Sequence, residues 1–393
     1  MSSGSESEPE MDSKEEMDFN DLTNSAIVEK YRLAAEIANK TMEGVVAQVA
    51  AGKTALEICK FGDQVISLTT AKYFKSKKVE KGVAFPTCVS VNETVCHYSP
   101  LESEEPVVLA AGDTVRIDLG VHMDGYIAQV AQTMVVPAEG AGAVEGELAD
   151  AVVGAHTALE VASRMLKPGA KNSEITDAIT KVAEAFGVTP VQGTLSHEIK
   201  RYVIDGANVI LQVEDAENKA DEFEVEVGDA FTLDVCFSTG EGKTRETGAR
   251  TTVFKRAVDE KYALKMKASR YVINEVSRAF PSLPFTIRAL EDEKQARMGV
   301  VECVKHDLLH PYPILREKAD AHVGHFKATV LVLPSGTVKI TGTSLPEGAF
   351  TSDKTVPEEF VSILASGGSK KRRRKKKKKG GAGGAGGAGG ADA

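Results

Sequence analysis

Two polar side chains in an otherwise apolar stretch are the first candidates for chemistry in this sequence. Asp118 and Gln129 lie in segment 115–136, where residues rich in Val and Ile flank a turn signal at Asp124, a pattern that predicts a β-hairpin. The two-residue loop begins at either Met123 or Asp124, and in both registers Asp118 and Gln129 share one face. Burying an unpaired carboxylate is costly, and a metal enzyme would place a second carboxylate at Gln129. The sequence places a neutral amide there instead.

The elements that must position this hairpin are helices and strands in two successive sets. Apolar residues recur at helical spacing in five segments, which are 25–49, 145–165, 173–186, 262–280 and 290–309. Ser173 is the N-cap candidate of the third segment. Strand patterns cover 230–238 and 325–333. Helices followed by strands, twice over, predict an α+β fold.

Composition limits the classes of protein that the sequence can encode. The 393 residues are 42% hydrophobic, which is enough for a sizeable core. No apolar run reaches the roughly 18 residues of a transmembrane helix, so no membrane insertion is expected. Residues 1–20 are polar and acidic, which predicts a disordered N-terminus and no secretion signal. The five cysteines are widely spaced and lack a C-x-x-C pair, which predicts buried thiols in a reducing compartment.

Charge is distributed unevenly along the chain. The formal net charge is −9, yet ten consecutive residues near the end are basic, so the remaining residues sum to −19. The ten are Lys370, Lys371, Arg372, Arg373, Arg374, Lys375, Lys376, Lys377, Lys378 and Lys379. A solvated linker, a nuclear signal and a nucleic-acid-binding tail are the possible interpretations, and the last two are favoured. Gly and Ala dominate residues 380–393, so 367–393 as a whole is predicted to be a low-complexity tail.

Five segments carry a resemblance to the methionine aminopeptidases, and in particular to their type-2 branch. They read SVNETVCHYSP at 90–100, IDLGVHMDGYIAQ at 117–129, TLSHEI at 194–199, LDVCFSTGEG at 233–242 and HFKATVL at 325–331. The segment RALEDEKQARMGVVEC at 288–303 and the basic tail are similar to those of the proliferation-associated, ErbB-receptor-binding proteins, a lineage without peptidase activity. The resemblance implies a pita-bread fold over 21–366, with a mostly helical insertion at about 259–316.

The resemblance also implies which residues stand at the metal-ligand positions. Enzymes of this fold hold two divalent metals with two aspartates, one histidine and two glutamates, a set that suits Mn, Co or Fe. In this sequence the five positions fall on Asp118, Gln129, His197, Asp234 and Lys327. Gln129 is neutral, and the Lys327 ammonium has no lone pair and repels a cation. The resemblance therefore implies a degenerate site, with no cofactor and no catalytic residue.

Two further positions correspond to the substrate side of such enzymes. His97 stands at a histidine position of the substrate segment, and Asp205 replaces the additional histidine of the pocket. Without the resemblance, Asp118 would be read as a turn or ladder-end residue, and His197 as a hydrogen-bonded loop histidine.

The lysine indicates what replaced the metals. We expect the Lys327 ammonium to lie within salt-bridge reach of Asp118, Asp234 or both, because two like charges in one pocket oppose each other's ionisation. The Gln129 amide is expected to donate to a neighbouring carboxylate.

Three functions compete. The resemblance implies a non-catalytic adaptor, a monomer in the cytoplasm, nucleus and nucleolus, that binds structured RNA and the large subunit of the ribosome. It would regulate growth-linked translation, ribosome biogenesis or transcription, with protein partners in growth signalling or transcription. The first alternative is a metal-dependent methionine aminopeptidase with an altered site, against which Gln129 and Lys327 argue. The second is a DNA-associated transcriptional co-repressor.

Two observations bear on the second alternative. The segment EFVSILAS at 359–366 lacks the Leu-x-x-Leu-Leu pattern that some relatives carry there, which argues against binding to nuclear receptors. The basic run has no interleaved aromatic residues, which favours structured RNA over specific DNA, because phosphate contacts alone carry no sequence information.

Overall fold

The computed structural model describes residues 18–76, 78–214, 218–246 and 248–366. Its helices are α1 (Ser25–Val46), α2 (Ala55–Thr70), α3 (Glu147–Met165), α4 (Asn172–Phe186), α5 (Lys267–Ala279), α6 (Glu293–Lys305) and α7 (Glu358–Ser366). Its strands are β1 (Lys81–Val91), β2 (Thr94–Cys96), β3 (Thr114–Met123), β4 (Tyr126–Val135), β5 (Thr189–Pro190), β6 (Leu195–Glu198), β7 (Val209–Leu211), β8 (Ala230–Ser238), β9 (Arg245–Glu246), β10 (Val253–Arg256), β11 (Phe285–Thr286), β12 (Leu309–Tyr312), β13 (Leu315–Arg316), β14 (Val323–Leu333) and β15 (Gly336–Lys339).

A nine-stranded antiparallel sheet forms the centre of the molecule. Its strands follow the order β1-β3-β4-β14-β8-β6-β7, while β15 pairs with β14 and β5 pairs with β8. Two three-stranded sheets, β11-β10-β12 and β2-β13-β9, accompany it. Region 259–316, expected to be a mostly helical insertion, contains α5, α6 and the short strands β11 to β13.

The first four helices pack on one face of the large sheet. Helices α1 and α2 form one core with Ile117 and Leu119 of β3, and α3 and α4 form another with Leu233 of β8 and Ala328 of β14. Because side chains alternate along a strand, Asp118 projects from the opposite face of the sheet. The sequence thus separates an apolar helix-covered face from a face that carries polar residues.

The predicted hairpin is confirmed, and its turn is now assigned. Met123 pairs with Tyr126, so the loop consists of Asp124 and Gly125. Their φ angles are 56° and 80°, as a type I′ turn requires at both central positions. A Cβ atom at Gly125 would lie 2.5 Å from the Tyr202 ring, so the second loop position has room only for glycine.

Among the helix ends, one prediction is wrong. Helix α4 begins at Asn172 with Lys171 as its N-cap, so Ser173 lies inside the first turn. The reason is a pair of local contacts: the Glu174 carboxylate accepts a bond from the Lys171 backbone N–H at 3.3 Å, and the Ser173 hydroxyl donates to Glu222 at 3.3 Å.

The predicted disordered N-terminus, 1–20, and the predicted low-complexity tail, 367–393, fall mostly outside the described residues. These include neither 1–17 nor 367–393, and so none of the ten basic residues 370–379. Residues 18–20 contact the body: the Tyr126 hydroxyl donates to the Phe19 carbonyl at 2.8 Å, and the Arg201 N–H donates to Asn20 Oδ1 at 3.0 Å.

Within the described ranges, no helix combines the length and apolar character needed to cross a bilayer.

Candidate functional site

Four neighbouring strands place three charged side chains in one row. Asp118 on β3 pairs with Ala131 on β4, Ala131 pairs with Lys327 on β14, and Lys327 pairs with Asp234 on β8. Paired residues on adjacent strands share a face. Asp118, Lys327 and Asp234 therefore project together from the face opposite the helices.

The lysine lies between the two carboxylates. Its Nζ atom is 2.6 Å from Asp118 Oδ2 and 3.2 Å from Asp234 Oδ2. The side chains of Lys327, Asp118 and Asp234 are only 7%, 4% and 11% exposed, so these contacts are buried. The prediction that Lys327 reaches these aspartates is confirmed for both of them.

Lys327 and Asp234 favour each other's ionised form. Burial disfavours the Lys327 ammonium, but Asp118 and Asp234 outweigh burial and raise the pKa of Lys327 above its ordinary value. Burial likewise disfavours the Asp234 carboxylate, but Lys327 and His325 outweigh it and lower the pKa of Asp234 below its ordinary range. The contact between Lys327 and Asp234 is therefore an ion pair at neutral pH.

His325, and not Gln129, donates the remaining hydrogen bond in this row. His325 Nε2 is 2.7 Å from Asp234 Oδ1, and since a carboxylate only accepts, Nε2 carries the proton. The expectation for Gln129 is wrong: Asp118 Oδ1 is buried with no hydrogen-bond partner among the described residues. The Gln129 contact with β14 is made by its backbone, whose N–H donates to the Thr329 hydroxyl oxygen Oγ1 at 2.8 Å. The sequence did contain a signal for the role of His325, because this residue stands two positions before Lys327 on one strand.

Arg116 is a second buried cation that the sequence reasoning missed. It precedes Asp118 by two residues and so shares its face of β3. Its guanidinium donates to four backbone carbonyl oxygens, those of Thr94, Val323, Ser90 and Asn92. Burial lowers the pKa of Arg116 to about 10, which leaves it charged at neutral pH. This face of the sheet thus carries two buried carboxylates and two buried cations.

A cavity of about 330 Å³ opens on the row. The predicted positions that line it are His97, Gln129, His197, Asp205, Asp234 and Lys327. Asp118, the seventh position, is not in the cavity wall. Asp205 is not free in the cavity, because its carboxylate forms an ion pair with the Lys255 ammonium. The structure therefore brings the predicted residues together, and it supplies a lysine partner to each of Asp118, Asp234 and Asp205.

Two of the three cavity histidines, His97 and His197, are held by backbone carbonyls. His97 Nδ1 is 3.0 Å from the Pro313 carbonyl, and His197 Nδ1 is 3.4 Å from the Gly206 carbonyl. A carbonyl oxygen only accepts, so Nδ1 carries the proton in each ring. Burial lowers the pKa of His97 to about 4 and also lowers the pKa of His197. Both rings are neutral at physiological pH.

These residues do not fit the metal pair of the aminopeptidases. A divalent cation shared by Asp118 and Asp234 would have to displace the Lys327 ammonium, which already lies within 2.6 Å and 3.2 Å of them. The described part of the chain contains no group of three or more His, Cys, Asp or Glu side chains that could hold a metal ion.

We expect acid to destabilise the protein through His97. Its pKa falls from the ordinary 6.5 to about 4 on folding, so at intermediate pH the unfolded chain binds a proton that the folded protein does not. The stability that neutral His97 supplies is complete above its unfolded pKa and declines as the pH falls towards the folded pKa, by about 1–2 kcal/mol at pH 5. Urea unfolding across this range measures the slope, which His97→Gln should flatten. Equal slopes in wild type and His97→Gln would contradict this prediction. The control is His310→Gln, at an exposed histidine of the same cavity.

Comparison with known proteins agrees with this architecture. The sheet with helices on one face is the pita-bread fold of metallopeptidase family M24, whose sequence pattern matches residues 29–253. A methionine aminopeptidase from Rickettsia prowazekii superposes with a TM-score of 0.53 at 17% identity over 81% of this chain and 98% of that one. The predicted methionine aminopeptidase-like fold is therefore confirmed.

Closer relatives define the branch. ErbB-3 binding protein 1 of Solanum tuberosum is 47% identical over 86% of each chain, and proliferation-associated protein A of Dictyostelium discoideum is 42% identical over 88% of this chain and 89% of its own. A curved DNA-binding protein of Schizosaccharomyces pombe is 37% identical over 87% of this chain and 91% of its own. A thermophilic Arx1 superposes with a TM-score of 0.82 at 30% identity, over 87% of this chain and 98% of that one. The chain belongs to the proliferation-associated, ErbB-3-binding branch of family M24.

Proposed function

We propose that this protein is a non-catalytic adaptor built on the aminopeptidase fold. The observation that carries the proposal is Lys327, whose ammonium lies between Asp118 and Asp234, at a position where the enzymes have a metal-bridging glutamate. Gln129, a neutral amide, is the second departure from the ligand set. The site is degenerate: its buried charges are satisfied by the chain's own cations, and no metal activates a water molecule. The names of the potato and Dictyostelium relatives describe binding and proliferation, not peptide hydrolysis.

Purified protein is therefore expected not to remove the N-terminal Met from Met-Ala-Ser peptides when Mn, Co or Fe is supplied. The released amino acid can be measured directly, with an archaeal methionine aminopeptidase as the positive control. Metal-dependent turnover that disappears in His197→Ala would overturn the non-catalytic proposal and restore the altered-peptidase alternative.

The adaptor's ligands are RNA and the large ribosomal subunit. Ten consecutive cations at 370–379 on a body that otherwise sums to −19 support a polyanion as the ligand. The tail comes soon after helix α7, which packs into the α3–α4 core through Phe360, so the basic run is tethered to the folded body. Three parts of this proposal rest on the family resemblance: the ribosome as partner, the role in growth-linked translation, ribosome biogenesis or transcription, and the cytoplasmic, nuclear and nucleolar location. Crosslinking of RNA bound in cells, run beside sedimentation with ribosomal subunits, tests them.

The contribution of the tail should appear in the salt dependence of binding. Neutralising about 7–10 phosphates gives a slope of roughly −0.7 per contact on single-stranded RNA when log affinity is plotted against log salt. Deleting 370–379 should flatten this slope and weaken binding to many RNAs alike. The control deletes the Gly/Ala residues 380–390, which shortens the chain without removing charge. An unchanged slope after loss of the basic run would place RNA binding on the folded body.

A DNA-associated role is the second candidate, and the name of the fission-yeast relative favours it. A basic tail contacts phosphates on either nucleic acid and does not distinguish them. Competition of duplex DNA and structured RNA for the full-length chain at one salt concentration decides between them.

A further inference from the structure

Strand β1 leaves half of one sheet edge open. It is the terminal strand of the nine-stranded sheet, and within the described residues only β3 pairs with it there. The Asp124 N–H donates to the Glu80 carbonyl at 2.7 Å, and the register continues with Gly82 opposite His122. Since hydrogen-bonded positions alternate in an antiparallel pair, residues 80 and 82 face β3. Val79, Lys81 and Val83 therefore direct their backbone N–H and C=O groups away from the sheet.

The other half of the same edge is covered. The Val89 N–H donates to the Tyr98 carbonyl at 2.8 Å, the Thr87 N–H donates to Asp63 at 2.8 Å, and the Thr87 carbonyl accepts from the Ser99 hydroxyl at 2.9 Å. An exposed edge strand is a template for pairing with another chain, and folded proteins usually protect it. The open part at 79–83, which comprises the start of β1 and the two residues before it, is thus the exception along this edge.

A cavity of about 300 Å³ lies beside the open part, between the sheet edge and the segment that comes after α5. Val79 and Val83 on one side and Phe280 and Leu283 on the other give it apolar walls. Its charged residues are Lys81, Arg278 and Glu80, and Arg278 already forms an ion pair with Glu275 of α5. Three further lysines, Lys72, Lys75 and Lys78, lie on the segment leading into β1, and none of the three forms an ion pair within the described residues. The surroundings of the open edge are therefore basic.

The start of the described chain lies next to this cavity. The Phe19 ring is 4.6 Å from the Arg201 guanidinium carbon, and the same carbon is 5.3 Å from the ring of Tyr202, which is in the cavity wall. The Arg201 side chain is fixed by Asp124, whose carboxylate it contacts at 2.7 Å. The first described residues, 18–20, therefore lie near the open edge.

We propose that the acidic segment 1–17 adds a strand to the open edge of β1. The segment carries six carboxylates and a single lysine, which complements the lysines along 72–81. The stretch 10–17 contains no proline and has methionines at both Met11 and Met17, so it can pair through its backbone and place a flexible apolar side chain in the cavity. Eight residues span at most about 28 Å when extended, which is ample for the open part of the edge.

Hydrogen exchange of the intact protein tests this. The amides of Val79, Lys81 and Val83 should exchange about tenfold or more slowly in the full-length chain than in a chain beginning at Asp18. A second variant keeps the full length and replaces the six carboxylates by amides, at Glu6, Glu8, Glu10, Asp12, Glu15 and Glu16; it should lose the same protection. The matched control is β7, the opposite terminal strand of the sheet, whose amides should not change in either variant.

Each outcome decides the proposal. Protection lost in both variants supports an added strand held by charge. Equal exchange of 79, 81 and 83 in all three proteins would overturn it. Protection that persists in the shortened chain and rises with protein concentration would assign the edge to a second copy of the chain, and would overturn it as well.

Discussion

Lys327→Met is expected to lower the free energy of unfolding by about 3–5 kcal/mol, because it removes the partner of a buried charge and leaves the other side unpaired. The expectation comes from geometry: the Lys327 ammonium contacts Asp118 and Asp234 at 2.6 Å and 3.2 Å, and all three side chains are almost inaccessible to solvent. Methionine keeps much of the volume and the unbranched shape of lysine. The loss therefore reports on charge and not on packing. Urea unfolding at neutral pH, with the midpoint and slope compared with wild type, measures it.

Lys255→Met is the matched control for that measurement. Lys255 also pairs with a carboxylate in the same cavity, that of Asp205, but the two side chains are 20% and 33% exposed. Exposed pairs contribute about 0–1 kcal/mol, so this variant should lose far less stability. Equal losses at the two lysines, or a Lys327→Met protein as stable as wild type, would show that the row is hydrated and that its charges are screened.

A double variant separates the missing attraction from the stranded charge. Asp118→Asn in the Lys327→Met background removes one of the two carboxylates left without a cation, so the double variant should be more stable than the sum of the single losses predicts. Strict additivity would mean that Asp118 and Lys327 do not interact across their 2.6 Å contact.

The row itself was predictable because it depends on strand alternation and on the types of residue. Once Asp118 is on a strand and Lys327 and Asp234 are on others, the alternation of side chains and the resemblance to known enzymes bring the three together. The roles of His325 and Arg116 were not predictable in the same way. The guanidinium of Arg116 donates to the carbonyl of Val323, 207 residues away. Only the tertiary structure, and not local pattern, determines which carbonyls lie there.

The error over Gln129 has the same origin. Pairing on the hairpin places Gln129 opposite Gly120, two residues along from the pair formed by Asp118 and Ala131. At that position its backbone hydrogen-bonds with the Thr329 hydroxyl of β14. The Asp234 carboxylate is instead bonded by His325, four residues before Thr329 on β14. The face of a side chain is set by the parity of its position, whereas its hydrogen-bond partner depends on the register between strands that are distant in sequence.

Lys327→Glu is expected to destabilise the protein more than Lys327→Met does, and divalent manganese is expected to restore part of the loss. The substitution places a third carboxylate between Asp118 and Asp234, and like charges at this range oppose one another's ionisation. The same three carboxylates, with His197 in the adjoining cavity, supply the oxygen and nitrogen ligands that Mn accepts. A cation that binds only the folded form stabilises it by mass action, by about 2.7 kcal/mol at a hundredfold excess over its dissociation constant.

Thermal melts of both Lys327 variants and of wild type, with manganese or with a chelator, test this prediction. Manganese should raise the Tm of Lys327→Glu and leave that of Lys327→Met unchanged, because methionine adds no charge to the row. Wild type should respond to neither addition, since its own ammonium lies between the carboxylates. If manganese shifts all three melts equally, the ion binds elsewhere on the protein. If manganese shifts none of the three melts, Gln129 is sufficient by itself to exclude a metal, and Lys327 is not the group that replaced the metal.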